Sequence, residues 1–176
     1  MILVRHAQSE FNVHYSRTRI DPGIRDPALT ELGFEQARST VAQLRELPAH
    51  RIVTSPYTRA LQTAEVLHDA LGLPVEIDPI VGERCAFVCD LGSTRDELAV
   101  RFPRFAFDHL PHEWWPEPIE EEDRLMVRCD DFRTRMAADP AWSGTIVVTH
   151  WGFIRGLTGE TVGNCAVLRF DPTVAR

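Results

Sequence analysis

Two histidines, His6 and His150, stand where two apolar runs end. Met1-Ile2-Leu3-Val4 delivers Arg5-His6, and Thr145-Ile146-Val147-Val148-Thr149, the strongest β-branched run in the chain, delivers His150. Both runs read as buried strands. In a parallel α/β sheet, ligands bind in the crevice beyond the carboxyl ends of the strands. Two imidazoles and an arginine at that edge suit phosphoryl transfer with histidine as nucleophile. Imidazole attacks phosphorus without a helper base when its attacking nitrogen carries no proton. Its other nitrogen then needs an acceptor, such as a backbone carbonyl. The turn after His6 offers Ser9 and Asn12 as further donors.

A third segment, Thr54-Ser55-Pro56-Tyr57-Thr58-Arg59, places Arg59 in the first turn of a helix that starts at a strand end. A helix N-terminus favours anions, and the arginine fork binds phosphate oxygens in pairs. His150, as a cation, would stabilise charge on the transferring phosphoryl group. Gly152 reads as the residue that permits the tight strand-to-helix turn aiming His150 at the sheet edge.

The elements that must position these groups alternate between strand and helix. Residues 7–29 are polar and turn-rich, with Asp21-Pro22-Gly23 and Asp26-Pro27 as punctuation. Thr30 caps a helix over about 30–46, with Leu32, Ala37, Val41 and Leu44 on one face. A strand over 51–54 leads to Ser55-Pro56, read as the cap and first position of a helix ending at Leu71, with Gly72 after it. Val75-Glu76-Ile77 is another strand. Residues 82–118 are irregular apart from a short helix near 94–101. They carry Pro103, Pro111, Pro116, Pro118 and Trp114-Trp115, and are expected to form a wall or lid with one indole at the mouth of the cleft. A helix over about 119–138 opens on the acidic turn Glu120 to Asp123. The strand 145–149, a short helix after Gly152 and a strand over 165–170 complete an α/β pattern. The expected architecture is a three-layer, mostly parallel sheet with helices on both faces, in a single domain over 1–176 with a substrate-covering insertion at about 82–118.

Composition bounds the chemistry. All 19 basic residues are arginine, which excludes a Schiff-base, pyridoxal-phosphate or P-loop lysine. The net charge of −7 argues against a nucleic-acid or anionic-membrane partner, while a locally positive cleft still suits a small anionic substrate. No apolar run has the length of a membrane span. Cys85, Cys89, Cys129 and Cys165 form no CxxC pair. Met1 leads straight into a strand, without room for a signal peptide, so the expected setting is cytoplasmic with reduced thiols. Homo-oligomerisation is left open.

Two other sites compete on paper. Cys89 to Arg95 fits the C-x5-R pattern of cysteine phosphatases, but the preceding strand is weak and Asp90 would repel both thiolate and phosphate. Cys85, Cys89, His109 and His112 could be combined into a zinc site only with irregular spacing. His14, His50 and His68 read as surface residues.

Taken together, Arg5-His6 with Asn12, Ser55-Pro56 with Arg59-Ala60 and Gln62-Thr63-Ala64, and Thr149-His150-Trp151-Gly152 resemble the histidine phosphatase superfamily, the phosphoglycerate mutase-like fold. Order and spacing agree over nearly the whole chain. The resemblance implies a transient phosphohistidine at His6, a phosphate pocket of Arg5, Arg59 and His150, and neither metal nor other cofactor. It also implies a carboxylic acid after the third strand that protonates the leaving oxygen, for which Glu83 in Gly82-Glu83-Arg84 is the candidate, with Arg84 beside it as a substrate-binding residue. Like charge from a bound phosphate would raise that carboxyl's pKa. Two departures stand out: Ala7 replaces a common glycine, and Cys85-Ala86-Phe87 replaces the usual Trp-Glu-Gly. The implied activity is hydrolysis of a small phosphomonoester. Its alternatives are mutase-type phosphoryl transfer, less expected at 176 residues, and a weakly catalytic phospho-ligand-binding member.

Overall fold

Strand side chains alternate between two apolar faces, and each face meets its own helical layer. The computed structural model describes residues 1–116 and 119–174. Among these, five strands form one sheet: β1 (Ile2–Arg5), β2 (Arg51–Thr54), β3 (Val75–Ile77), β4 (Thr145–Thr149) and β5 (Val167–Arg169). Their spatial order is β3-β2-β4-β1-β5, with β5 antiparallel to β1 and the other pairings parallel. The α-helices are α1 (Glu10–Thr18), α2 (Glu31–Arg45), α3 (Thr58–Leu71), α4 (Arg95–Arg101), α5 (Glu122–Ala138) and α6 (Trp151–Thr158).

Ile2, Val4, Ile52, Ile146 and Val148 share one face with Val41 and Leu44 of α2 and Ala60, Ala64 and Leu67 of α3. Leu3, Val53 and Val147 face the other way, onto Leu125, Phe132 and Met136 of α5 and Phe153 and Leu157 of α6. This period of two buries both faces and produces the expected three layers. A separate apolar cluster joins Tyr57, Leu61 and Leu98 to Phe102, Phe107, Leu110 and Trp114.

The structure departs from the sequence reading at several termini. Residues 10–18 are helical, not turn. Helix α1 buries none of its residues, so no apolar stripe announces it; Ser9 and Asn12 start it, the Ser9 N–H donating to Asn12 Oδ1 at 3.0 Å. Thr30 caps α2 by accepting the Gly33 N–H at 3.0 Å, yet Leu32 is exposed, and Gly33 and Thr40 join Ala37, Val41 and Leu44 on the buried face. Helix α3 begins at Thr58, past Ser55-Pro56. Its cap comes from a distance: the Asp26 carboxylate accepts the Thr58 N–H at 2.9 Å and its hydroxyl at 2.6 Å. Helix α5 begins at Glu122, because Ile119 adopts φ 69°, which no helix continues through. Glu120 is thus outside the helix, and buried. The final strand is shorter than expected, with Cys165 at φ 56° just before it. Pro118 lies outside the described residues.

Candidate active site

Parallel pairing of β1 with β4 sets Arg5 opposite Thr149. The next residue of each strand therefore leaves the sheet at the same level, and the His6 and His150 rings lie 5.0 Å apart between centroids. His6 Nδ1 is 2.7 Å from the Ala7 carbonyl. A carbonyl can only accept, so Nδ1 carries the hydrogen and Nε2 keeps its lone pair. Burial, with the Arg59 and Arg5 guanidinium groups nearby, holds the His6 pKa well below the ordinary imidazole value. His6 is thus a neutral, oriented imidazole whose Nε2 lone pair could attack an electrophile.

His150 is fully buried, with Nε2 2.7 Å from Ser55 Oγ. The Ser55 hydroxyl accepts the Tyr57 N–H at 3.3 Å and can give its own proton to Nε2; in that tautomer His150 Nδ1 carries the hydrogen. Within the described residues that Nδ1 has no partner, and neither has buried Arg5 Nε. Arg5 is anchored separately, through NH1 to the Val162 carbonyl at 2.7 Å. A buried donor without an acceptor costs about 1–3 kcal/mol, and anionic oxygens beside His6 would satisfy both. The expected cation is not what the protein presents at His150: burial, then Arg59 and His6, hold its pKa well below the usual value. A neighbouring phosphate dianion supplies the negative charge that would reverse this.

Arg59 is in the first turn of α3, as expected, and buried. NH1 donates to the Cys89 carbonyl at 2.9 Å and NH2 meets Asp90 Oδ1 at 3.0 Å. Asp90 Oδ2 in turn accepts the Ala86 and Phe87 N–H groups, each at 3.1 Å. The turn over 86–90 is therefore folded around the arginine. Asp90 was legible only as an objection to a Cys89 thiolate; its pairing with Arg59 depends on a loop contact that sequence spacing does not show.

Glu83 comes from the loop after β3 and touches the start of α6. Its Oε1 accepts the Arg84 N–H at 2.9 Å and the Gly152 N–H at 2.8 Å. Desolvation first, then the Asp90 charge, raise its pKa above the ordinary carboxyl value. With Oε1 committed as acceptor, a proton on this group belongs on Oε2. Gly152 has no positive φ; its role is space, since a Cβ there would lie 2.3 Å from Glu83 Oε1. Arg128 of α5 fixes the loop from below. It donates to the carbonyls of Ile80 and Gly82 at 2.8 Å and of Glu83 at 3.3 Å. It also grips buried Glu120 through Nε at 2.9 Å and NH2 at 2.6 Å. Neither Arg128 nor Glu120 carries a local sequence signal for this task.

Arg5, His6, Asn12, Arg59, Glu83 and Arg84 line one cleft of about 870 Å³. His150 lies just beneath, against the His6 ring. Asn12 Oδ1 is occupied by Ser9 and by Asn164 Nδ2 at 3.1 Å, which leaves the Asn12 amide nitrogen as its donor to the cleft. Arg84 directs Nε to the Glu120 carbonyl at 2.9 Å. The wall expected from 82–118 is supplied by its first third, including Phe87 and Asp90. The tryptophans are not part of it. Trp114 is buried edge-on to Tyr57 and donates to the Ser93 carbonyl at 2.8 Å, while Trp115 lies under the Arg25 guanidinium.

The competing sites do not assemble. Cys89 is buried in a 3-10 turn, and burial pushes its thiol pKa far up. Arg95 points instead to Asp96 at 3.0 Å. His109 is taken by the Ile77 carbonyl at 2.7 Å, and among the described residues no cluster of three or more His, Cys, Asp or Glu is arranged to hold a metal. No helix among them is long and apolar enough to cross a membrane.

Comparison with known proteins points to one family. The model of the histidine phosphatase superfamily (branch 1) matches residues 1–169. A probable phosphatase of Schizosaccharomyces pombe is 32% identical over 134 residues, spanning 74% of this chain and 43% of that protein. A 2,3-bisphosphoglycerate-dependent phosphoglycerate mutase of Sinorhizobium fredii is 42% identical over 74 residues, 41% of this chain and 33% of that one. The chain thus spans less than half the length of these relatives. The ecdysone phosphate phosphatase of the silkworm Bombyx mori, in complex with tungstate, shares the fold at a TM-score of 0.70 and 16% identity, covering 94% of this chain and 86% of that one.

Proposed function

Because the chain belongs to the histidine phosphatase superfamily, we propose that it hydrolyses a phosphomonoester through a phosphohistidine on His6 Nε2. The observation that carries this reading is the pair of unpartnered buried nitrogens, Arg5 Nε and His150 Nδ1, flanking an oriented neutral imidazole. Arg5, Arg59 and His150 hold the non-bridging oxygens. His6 Nε2 attacks phosphorus; the bond to the ester oxygen breaks, and the Glu83 Oε2 proton passes to that oxygen. Water then attacks the phosphohistidine and yields its proton to the Glu83 carboxylate; the P–N bond breaks, returning neutral His6, protonated Glu83 and free phosphate. The residues supply positive charge and proton transfer without a metal ion.

Rapid quenching under neutral conditions with a labelled substrate should trap an acid-labile, base-stable phosphoenzyme that His6→Ala abolishes. Cys89→Ser should retain turnover. The opposite pattern would establish a cysteine mechanism and reject this one. Transfer of the label to a second hydroxyl instead of water would identify the mutase alternative, which the bacterial relative's name brings into view. Cys85, Cys89, Cys129 and Cys165 form no disulfide, which supports the cytoplasmic setting.

A further inference from the structure

The phosphate end uses only part of the cleft. Its volume of about 870 Å³ falls in the range of about 300–1,000 Å³ that holds drug-sized ligands, more than phosphate with a short alkyl group requires. The remaining lining includes polar residues such as Gln8, Ser16 and Asn164 and a group of aromatic side chains. Phe11 and Tyr15, one turn apart on α1, stack at 5.1 Å between ring centroids. Phe87 closes on them at 5.6 and 5.2 Å. Leu125, Met126 and Trp151 come from α5 and α6. Among the described residues the exposed aromatic side chains are Phe87 and Trp151, each 38% exposed, and both line this cleft. Scattered exposed apolar residues need no explanation; two aromatics gathered next to a phosphate site do.

The other cations of the cleft are Arg84, held through Nε by the Glu120 carbonyl, and two arginines that lie over aromatic rings. Arg155 lies over the Trp151 ring at 5.6 Å and pairs with Glu122 at 3.7 Å. Arg19 lies over the Tyr15 ring at 5.7 Å and is exposed. Both guanidinium groups flank aromatic rings and extend the wall.

Resting on the phosphohydrolase reading above, we propose that the substrate is the phosphate ester of a bulky apolar or aromatic alcohol, whose body packs on the Phe11–Tyr15–Phe87 cluster and Trp151. A small polyhydroxylated or carboxylated ester leaves those rings wet.

The test compares 2-(2-naphthyl)ethyl phosphate, ethyl phosphate and 3-phosphoglycerate. All three release an alkyl alcohol and need the same protonation, so the ratio of kcat/KM reports on the organic body. The naphthyl ester should exceed both others by about 30-fold or more. Phe87→Ala and Trp151→Ala should each lower that ratio about fivefold or more, with Phe87→Leu recovering part of the loss. Val100→Ala, on the exposed side of α4, should keep the wild-type ratio. Using ratios cancels any loss of folded protein. A ratio near one, a preference for 3-phosphoglycerate, or ratios unmoved in both Ala variants would overturn the proposal while leaving the phosphatase reading intact. Absence of His6-dependent turnover on all three and on p-nitrophenyl phosphate would overturn that reading and this proposal with it.

Discussion

The Glu83 carboxyl receives the backbone N–H of Gly152 at 2.8 Å, joining the loop after β3 to the first turn of α6. Hydrogen bonds from backbone N–H groups favour an ionised carboxylate, whereas burial and Asp90 favour the protonated one; desolvation is the larger influence and the pKa goes up. The contact also places the carboxyl one residue past the Trp151 that follows His150.

The pH profile should show both groups. His6 is depressed below about 6.5, the ordinary imidazole value, so the acid limb of kcat/KM should lie below that value. Glu83 is raised, so the basic limb should appear as pH climbs through its elevated pKa and the proton is lost. Glu83→Gln should lower kcat/KM, which covers the steps up to the phosphohistidine, by about 100-fold or more for an alkyl phosphate and far less for p-nitrophenyl phosphate, whose leaving group needs no proton. Its residual aryl activity should lack the basic limb. Equal losses of kcat/KM for both esters would make Glu83 structural.

Gly152→Ala is a finer probe of the same carboxyl. The new methyl would sit 2.3 Å from Glu83 Oε1, the end of a flexible side chain, so the carboxyl should swing away while the fold survives. Alkyl phosphate turnover should fall about tenfold or more with little change for the aryl ester. An unchanged alkyl-to-aryl ratio would show that Glu83 does not act from this position.

Arg128→Ala should be costly for stability. It leaves Glu120 buried without its cation and three loop carbonyls without their donor, for an expected loss of about 3–5 kcal/mol in urea unfolding. The double variant Glu120→Leu with Arg128→Met should recover part of this stability. Both should depress alkyl more than aryl turnover, because the loop they release carries Glu83. A loss of stability with an unchanged ratio would separate folding from positioning.

Acid should destabilise the fold through the two buried histidines. Both have depressed pKa values, so as pH falls below about 6.5 the unfolded chain binds protons that the native state refuses. Unfolding free energy should therefore fall by up to about 1.4 kcal/mol per histidine for each pH unit inside that window. Denaturation at pH 7.0 and 5.5, with His6→Asn in parallel, measures the slope; an equal slope in the variant would assign it to other groups.

Exhaustive chelation should leave activity intact, since arginine and histidine provide the positive charge. Restoration only by magnesium, manganese or zinc would reject the metal-independent mechanism.

Local patterns in the chain determined a good deal. The runs 51–54, 75–77 and 145–149 are strands to the residue, because β-branched stretches bounded by breakers have few other ways to be buried. The same patterns put Arg5, His6, Arg59 and His150 at element ends, where a parallel sheet binds ligands. Tertiary structure decided what no spacing encodes. Inserting β4 between β1 and β2 makes neighbours of His6 and His150, 144 positions distant by number. The partners Asp90 of Arg59, Gly152 of Glu83, and Glu120 with Arg128 all join different elements. Each is a contact between side chains or loops whose local sequence fits an ordinary surface equally well. The Trp114-Trp115 pair shows the converse: its composition suggests a lid, but Tyr57, just before α3, and Leu61 within it offer one indole a dry surface and the Ser93 carbonyl an acceptor. Burial with a satisfied N–H outweighed any role at the cleft, and Phe87 and Trp151 were left to line it.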